Sequence, residues 1–109
     1  MKVFSVYDSK AGAYMTPFFA DTNGLAVRMF SDICNDRETV YWKHPEDFTL
    51  FELGEWSKFN SMFDLLQTPV PLVKASEVHG QAMMSPGEAA QAEQERLRAT
   101  NEGGKPNGP

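Results

Sequence analysis

Aromatic and cationic side chains lie near one another in the first half of the chain, in a pattern that could bind single-stranded nucleic acid. Tyrosine and tryptophan rings offer flat faces on which bases stack, and lysine or arginine neutralises the phosphates between those bases. The candidate stacking residues are Tyr7, Tyr41 and Trp42. The candidate phosphate-binding residues are Lys2, Lys10, Arg28 and Lys43. These rings, together with Tyr14, could instead fill a small core or an interface between copies, and the residues alone favour that simpler interpretation.

The charge balance does not favour a simple polyanion binder. The chain carries 10 Lys and Arg against 15 Asp and Glu, for a net charge of −5. A protein that coats phosphates normally has a basic face, and the cations here are scattered. Affinity for nucleic acid would therefore have to come from a local patch, from stacking, or from oligomerisation that multiplies weak sites.

Two short segments could support other chemistry. His44 with Glu46 and Asp47 could act as an acid–base group or as half of a metal site, but Pro45 between them favours a solvated turn. The segment Thr22–Gly24 could bind an anion at a helix N-terminus, although a neighbouring Asp21 favours an ordinary helix cap. We expect no catalytic site, no metal and no cofactor.

A single cysteine, Cys34, excludes an internal disulfide and is expected to be a buried, inert thiol. We therefore expect a reducing compartment. Met1-Lys2 leads into an alternating strand rather than an apolar leader, so we expect no signal peptide. No apolar stretch approaches the ~20 residues of a membrane span, and we expect no membrane partner.

The periodicities predict strands first and then a helix. Residues 2–8 alternate in strand-favouring types, residues 8–12 have turn chemistry, and residues 13–19 return as a second strand that Pro17 confines to an edge. A helix at 22–35 follows, capped by Asp21 or Thr22. Its predicted apolar face has three- and four-residue spacing and comprises Leu25, Ala26, Met29, Phe30, Ile33 and Cys34, with Arg28, Ser31 and Asp32 on the other face.

The sequence pattern in the second half of the domain predicts more strands. Residues 39–42 read as a short strand, residues 48–53 as a strand with apolar side chains on both faces, and residues 61–67 as its partner. Pro69 and Pro71 are expected to end regular pairing. Residues 70–78 fit either an edge strand or one helical turn.

We therefore predict an α+β domain at 1–79, with a small antiparallel sheet of about four strands and one amphipathic helix packed on it. Residues 80–109 are predicted to be a flexible tail. The composition of 87–100 favours a helix, although isolated helices of this length are marginal in water. Because one helix covers only one face of such a sheet, we also expect a homo-oligomer.

Residues 1–78 resemble the small nonstructural protein of gokushovirus-type microviruses, which are phages with single-stranded DNA genomes. The matching residues are Met1 to Ala11, Pro17-Phe18-Phe19, Arg28, Phe30-Ser31-Asp32, Asn35-Asp36, His44 to Asp47, Leu50, Leu53-Gly54, Thr68-Pro69 and Leu72.

The resemblance implies a nonstructural protein of the infected host's cytoplasm that assists the switch from duplex replication to packaging of single-stranded genomes. Two hypotheses follow. In the first, the protein binds single-stranded DNA weakly or as an oligomer. In the second, it is an adaptor that recruits a phage or host replication protein without touching DNA, and the net negative charge favours this alternative.

Overall fold

In the computed structural model, which describes residues 1–80, the chain folds as an α+β domain built on an antiparallel sheet. The predicted tail helix at 87–100 lies outside the described residues. The strands are β1 (Lys2–Asp8), β2 (Ala13–Tyr14), β3 (Phe18–Ala20), β4 (Phe48–Trp56) and β5 (Phe63–Lys74). The helices are α1 (Asn23–Cys34), α2 (Val40–Lys43) and α3 (Ala75–Val78), and a 3-10 turn at Pro45–Asp47 links α2 to β4.

Strand β1 occupies the centre of the sheet. It pairs with β4 on one side and with both β2 and β3 on the other, and β5 pairs with β4 at the outer edge. The single strand predicted at 13–19 is therefore wrong in detail, because it is interrupted between Tyr14 and Phe18. Pro17, which lacks an N–H donor, lies in that interruption. The Ser5 hydroxyl donates to the Met15 carbonyl at 2.6 Å and holds the interrupted segment against β1.

Strand β5 is longer than the predicted 61–67 segment. Pairing with β4 continues past Pro69 and Pro71 to Lys74, after which α3 begins, so the two alternatives for 70–78 are both realised in succession. The prolines are tolerated because β5 is an edge strand and needs hydrogen bonds on one side only. The register shifts twice along this pair, between Leu50 and Phe51 and between Glu52 and Gly54.

The short strand predicted at 39–42 is also wrong, because Val40–Lys43 forms α2. Thr39 caps this helix: its hydroxyl oxygen accepts from the Trp42 N–H at 3.4 Å. The backbone N–H of His44 donates to the Val40 carbonyl at 2.8 Å. A local cap and helical hydrogen bonds thus override the strand propensity of Val40 and Tyr41.

The helix predicted at 22–35 is confirmed as α1. Thr22 is the N-cap and accepts from the Leu25 N–H at 3.1 Å. The predicted apolar face is only partly buried, since Ala26, Phe30 and Cys34 lie in the core while three neighbouring apolar residues are exposed. Ser31, predicted on the polar face, is buried.

The core lies between α1 and one face of the sheet. Phe4 and Val6 from β1 and Phe48 and Leu50 from β4 pack there against the buried residues of α1.

A polar triad links β1, α1 and β4 at the edge of this core. The Lys2 ammonium lies 3.3 Å from Glu52 Oε2 and 3.1 Å from Asn23 Oδ1, and Asn23 Nδ2 donates to Glu52 Oε1 at 3.3 Å. The helix N-terminus and the two central strands are thereby tied together.

Gly54 permits the close approach of β5 to β4. Its φ is +152°, and an added Cβ would lie against the Asp64 carbonyl oxygen and 2.7 Å from the Leu65 Cα. Both neighbours are backbone atoms of the paired strand and cannot move without breaking the pair.

We expect Gly54→Ala to lower the free energy of unfolding by about 3 kcal/mol or more, through both the clash and the unfavourable φ. Gly12→Ala is the matched control, because Gly12 also has a positive φ of +68° but no atom within 4 Å of an added Cβ. That control should cost only about 1–2 kcal/mol. Urea unfolding followed by circular dichroism measures both, and equal losses would contradict the steric role of Gly54.

Candidate functional site

The second face of the sheet carries aromatic and aliphatic side chains that no helix of residues 1–80 covers. We call it the open face and define it by cross-strand register and ring contacts. Several of its side chains are substantially exposed, including Tyr14 at 48%, Phe63 at 53% and Leu65 at 61%. The open face comprises Val3, Ser5, Tyr7, Tyr14, Phe19, Thr49, Phe51, Leu53, Trp56, Phe63, Leu65, Pro71 and Lys74.

Three rings form a cluster at one end of the open face. The centroids of Tyr7 and Tyr14 are 4.9 Å apart, and Phe51 meets Tyr14 edge-on at 5.6 Å. The Tyr7–Phe51 contact, at 6.3 Å and 84°, is also edge-on. Such geometries are favourable for aromatic pairs. This tyrosine cluster is therefore ordered by contacts among its own rings.

A second cluster lies at the other end. Phe19 is 5.7 Å from Trp56 and 6.4 Å from Phe63, measured between ring centroids. A cavity of about 340 Å³ adjoins this tryptophan cluster, and Val3, Leu53 and Leu65 contribute to its lining. The open face thus presents two aromatic platforms beside an apolar hollow.

The charges are separated between the two faces of the sheet. Glu55 and Asp64 face each other across β4 and β5 in the row next to the open-face pair Gly54–Leu65, so they project to the opposite side. Glu52 also lies on that side, where it binds Lys2. Among the open-face residues defined above, Lys74 is the charged one, placed opposite Thr49 in the row that includes Tyr7 and Tyr14. A protein with a net charge of −5 therefore has a sheet face whose defining residues include no carboxylate. Asp21, Glu55 and Asp64 border it, in a hollow that Trp56 and Phe63 also line.

Two of the seven predicted binding residues belong to the open face or its margin. Tyr7 is part of the tyrosine cluster, and Lys10 lies in the turn between β1 and β2, which adjoins that cluster. Lys10 also lines a surface hollow with Asp8 and Asp47, so carboxylates lie near its charge. Lys2 points to the other side of the sheet, into the triad with Glu52 and Asn23.

The other predicted residues lie on the helical side. The Tyr41 ring packs edge-on against Phe48 at 4.7 Å, and its hydroxyl donates to Met15 Sδ at 2.9 Å. Burial, followed by the nearby Cys34 and Asp8, raises the Tyr41 pKa above 10.0. This ring is a core element rather than a free stacking surface.

Trp42 is also engaged. His79 stacks on its indole with a centroid distance of 4.0 Å and an interplanar angle of 22°, and the Arg37 guanidinium lies over the ring at 5.0 Å. The His79 ring nitrogen Nε2 is 3.0 Å from the Trp42 carbonyl oxygen. Arg28 and Lys43 are exposed on α1 and α2. The structure does not bring the seven predicted residues onto one surface.

Five aromatic residues of the open face were not among the predicted binding residues. The signal that indicates them is alternation: Val3, Ser5 and Tyr7 lie on one side of β1, and Phe51 and Leu53 form the second apolar face of β4. Pairing these two patterns needs the strand register, which the sequence does not supply. The five residues are Tyr14, Phe19, Phe51, Trp56 and Phe63.

The remaining chemical candidates show no assembled site. Pro45–Asp47 is a 3-10 turn that follows His44. Within residues 1–80, no group of three or more His, Cys, Asp or Glu side chains is placed to hold a metal ion. Among the helices of residues 1–80, the longest has 12 residues, which is too short to span a bilayer.

These features define a class of protein: a small α+β domain with an antiparallel sheet, one face of which is covered by a helix while the other is an open aromatic surface. Residues 1–78 match the family model described as Phage ORF5 protein, and the chain belongs to that family. The expectation of a small phage protein is thereby confirmed, while the assignment to microviruses stays a prediction. No curated protein and no solved structure is significantly similar to the chain.

Cys34 is expected to be unreactive in the folded protein, because burial raises its pKa from 9.0 to about 12. A disulfide reagent at pH 8 should modify the thiol roughly 1000-fold faster in urea than in buffer, because the thiolate is the reactive species and the raised pKa lowers its fraction by about that factor. Rapid modification of the folded protein would contradict this placement.

The same pKa shift makes stability depend on pH. The thiol stays neutral in the folded protein while the unfolded chain ionises above pH 9, so its contribution is complete below pH 9 and is lost as the pH rises toward 12. Cys34→Ala should flatten this part of the curve of unfolding free energy against pH. Tyr41, whose pKa is also raised, should leave a residual slope in that variant.

Proposed function

We propose that this phage protein is a non-enzymatic accessory factor that binds single-stranded DNA on its open face. In this role it would assist viral DNA replication and packaging in the host cytoplasm. The observation that carries the proposal is the combination of two exposed aromatic clusters with a sheet face that has no carboxylate among its described residues. A net charge of −5 does not favour binding of a polyanion, but a face of this kind would place few carboxylates against the phosphates.

Stacking would supply most of the affinity. Each base stacked on an aromatic ring contributes about 1–3 kcal/mol with little dependence on base identity. Tyr14 and Phe63, one from each cluster, have the exposure needed to accept a base. Lys74 on the open face, Lys10 beside it and Lys58 in the loop between β4 and β5 would neutralise phosphates.

The geometry favours a single strand over a duplex. In a duplex the base faces are already stacked on one another, so an open aromatic sheet gains contact only with bases that are free. Duplex binding would then depend on phosphate contacts alone. Three lysines in an acidic protein supply few of these.

Fluorescence anisotropy of a labelled single-stranded oligonucleotide tests the proposal, with a duplex as control. The combined variant Tyr14→Ser, Phe63→Ser and Lys74→Glu should weaken single-strand binding by at least about 10-fold, because two stacking surfaces are lost. The salt dependence of the parent protein should have a logarithmic slope of about −2, as expected for three phosphate contacts on a single strand.

The helical side provides the matched control. Lys43→Ala combined with Trp42→Ala removes a cation and a ring from the surface that the sequence alone predicted, and on our proposal it should leave binding within about 2-fold of the parent. The opposite pattern, with loss in the second variant and retention in the first, would contradict the open face as the binding surface. Circular dichroism would verify that both variants remain folded.

The second candidate function is an adaptor that recruits a phage or host replication protein without touching DNA. Two observations favour the adaptor. Asp and Glu outnumber Lys and Arg in the chain as a whole, and acidic side chains project to the helical side of the sheet. Absence of single-strand binding at tens of micromolar protein would support this alternative. Capture of a replication protein should then be lost when residues 80–109 are deleted, and full retention would contradict a role for the tail.

A further inference from the structure

Helix α1 has a second apolar stripe next to the one that faces the core. Leu25, Met29 and Ile33 are 39%, 43% and 46% exposed, respectively, and they follow one another at intervals of four residues. This spacing places them along one ridge of the helix. We call these three residues the α1 ridge. They lie beside the buried set of α1 and do not belong to the core cluster that the sheet and the helix share.

An apolar groove adjoins the α1 ridge. It has a volume of about 240 Å³. Its lining includes Met29 and Ile33 from α1, Met15 from the segment between β2 and β3, and Phe18 from β3. Met15 is itself 38% exposed. Because the ridge and the groove are both apolar, a second α1 helix can pack its own ridge against them.

The charges beside the α1 ridge are complementary to the same charges on a second copy of the chain. Arg28 and Asp32 are both exposed and lie on the flank of the α1 ridge that faces away from the buried residues. Neither takes part in an ion pair in the described part of the chain, where the pair found within 4.0 Å joins Lys2 and Glu52. Arg28 and Asp32 are therefore free to pair with charges on another molecule.

We propose that the α1 ridge is a dimer interface and that its occupant is the α1 ridge of a second copy, packed antiparallel about a two-fold axis near Met29. In this arrangement Leu25 of one copy faces Ile33 of the other, because both are four residues from Met29. Arg28 of each copy comes close to Asp32 of the other, which gives two symmetric ion pairs. The Met29 side chains can enter the two grooves.

One feature favours a second copy of this chain over a different partner, and two others favour helix α1 as the place where it binds. The apolar and charged residues match themselves in the antiparallel orientation, because both copies then present Arg28 and Asp32 on the same side of the contact, whereas a parallel two-fold pair places these flanks on opposite sides. The edge of β5, which could pair with the same edge of a second copy, is interrupted by Pro69 and Pro71. The helical packing also uses the intervals of four residues that give the commonest helix crossing angle.

The interface is small, so the dimer should be weak. A handful of half-exposed side chains buries less than the ~800 Å² per partner of a standard stable interface, and dissociation constants in the micromolar range or weaker are expected. The dimer would leave the open face of each copy accessible. It would also double the stacking surfaces that one DNA strand can reach, which is the part of the inference that rests on the proposed function.

Sedimentation equilibrium without DNA, on protein from micromolar concentrations up to about 1 mM, tests the dimer separately from DNA binding. Arg28→Asp and Asp32→Arg should each weaken the dimer by roughly 5-fold or more, because each places like charges opposite one another twice in the symmetric pair. Combining the two substitutions reverses both charges and should restore the dimer to within about 2-fold of the parent. Both residues are exposed, so the fold should be retained.

Leu65→Ser is the matched control, since it removes an exposed apolar side chain from the open face instead of the α1 ridge. It should leave the dimer unchanged. A protein that stays monomeric at the highest concentration would overturn the proposal. So would a dimer that Leu65→Ser dissociates while the charge reversals do not affect it, or a combined variant that fails to recover.

Discussion

The packing of one twelve-residue helix against one face of a five-stranded sheet is the constraint on which the rest of this structure depends. Phe30 and Ala26 of α1 meet Phe4 and Leu50 of the two central strands, and these contacts form the core. A sheet needs a hydrophobic partner for stability, and α1 supplies that partner on one side only. The aromatic residues on the other side are therefore left facing outward.

Together with this one-sided packing, the antiparallel register places the sheet's carboxylates on the helical side and not on the open face. Side chains alternate between the two faces along every strand, so the carboxylates of Glu52, Glu55 and Asp64 all project away from the open face. The Lys2–Glu52–Asn23 triad holds this arrangement at the helix N-terminus. An acidic protein thereby has one aromatic surface whose defining residues include a lysine and no carboxylate, and the overall composition does not reveal that surface.

Sequence patterns predicted the elements whose signals are local. Thr22 and the spacing of the apolar residues located α1 to within one residue at each end, because a cap and a helical period are read from neighbouring residues. Alternation located β1 and most of β4 for the same reason. The short strand predicted at 39–42 failed because Thr39 caps a helical turn there. The end of β5 was misplaced because an edge strand tolerates prolines that a central strand does not.

The candidate site was less predictable than the fold, because it depends on contacts between residues distant in sequence. The prediction of seven binding residues rests on proximity along the chain, yet Trp42 is stacked on His79 and Lys2 is paired with Glu52, 37 and 50 residues away, respectively. Tyr7 reaches its true neighbour Phe51 only through pairing of β1 with β4.

Local patterns in the amino-acid sequence are enough to predict a small α+β domain rich in aromatic residues, with a helix at 22–35 and a net negative charge. They do not predict which aromatic side chains are exposed together or which face of the sheet carries no carboxylate, because burial and register are properties of pairs of segments. The alternation of one strand fixes the relative orientation of its side chains, but the partner across the ladder decides which side faces the helix.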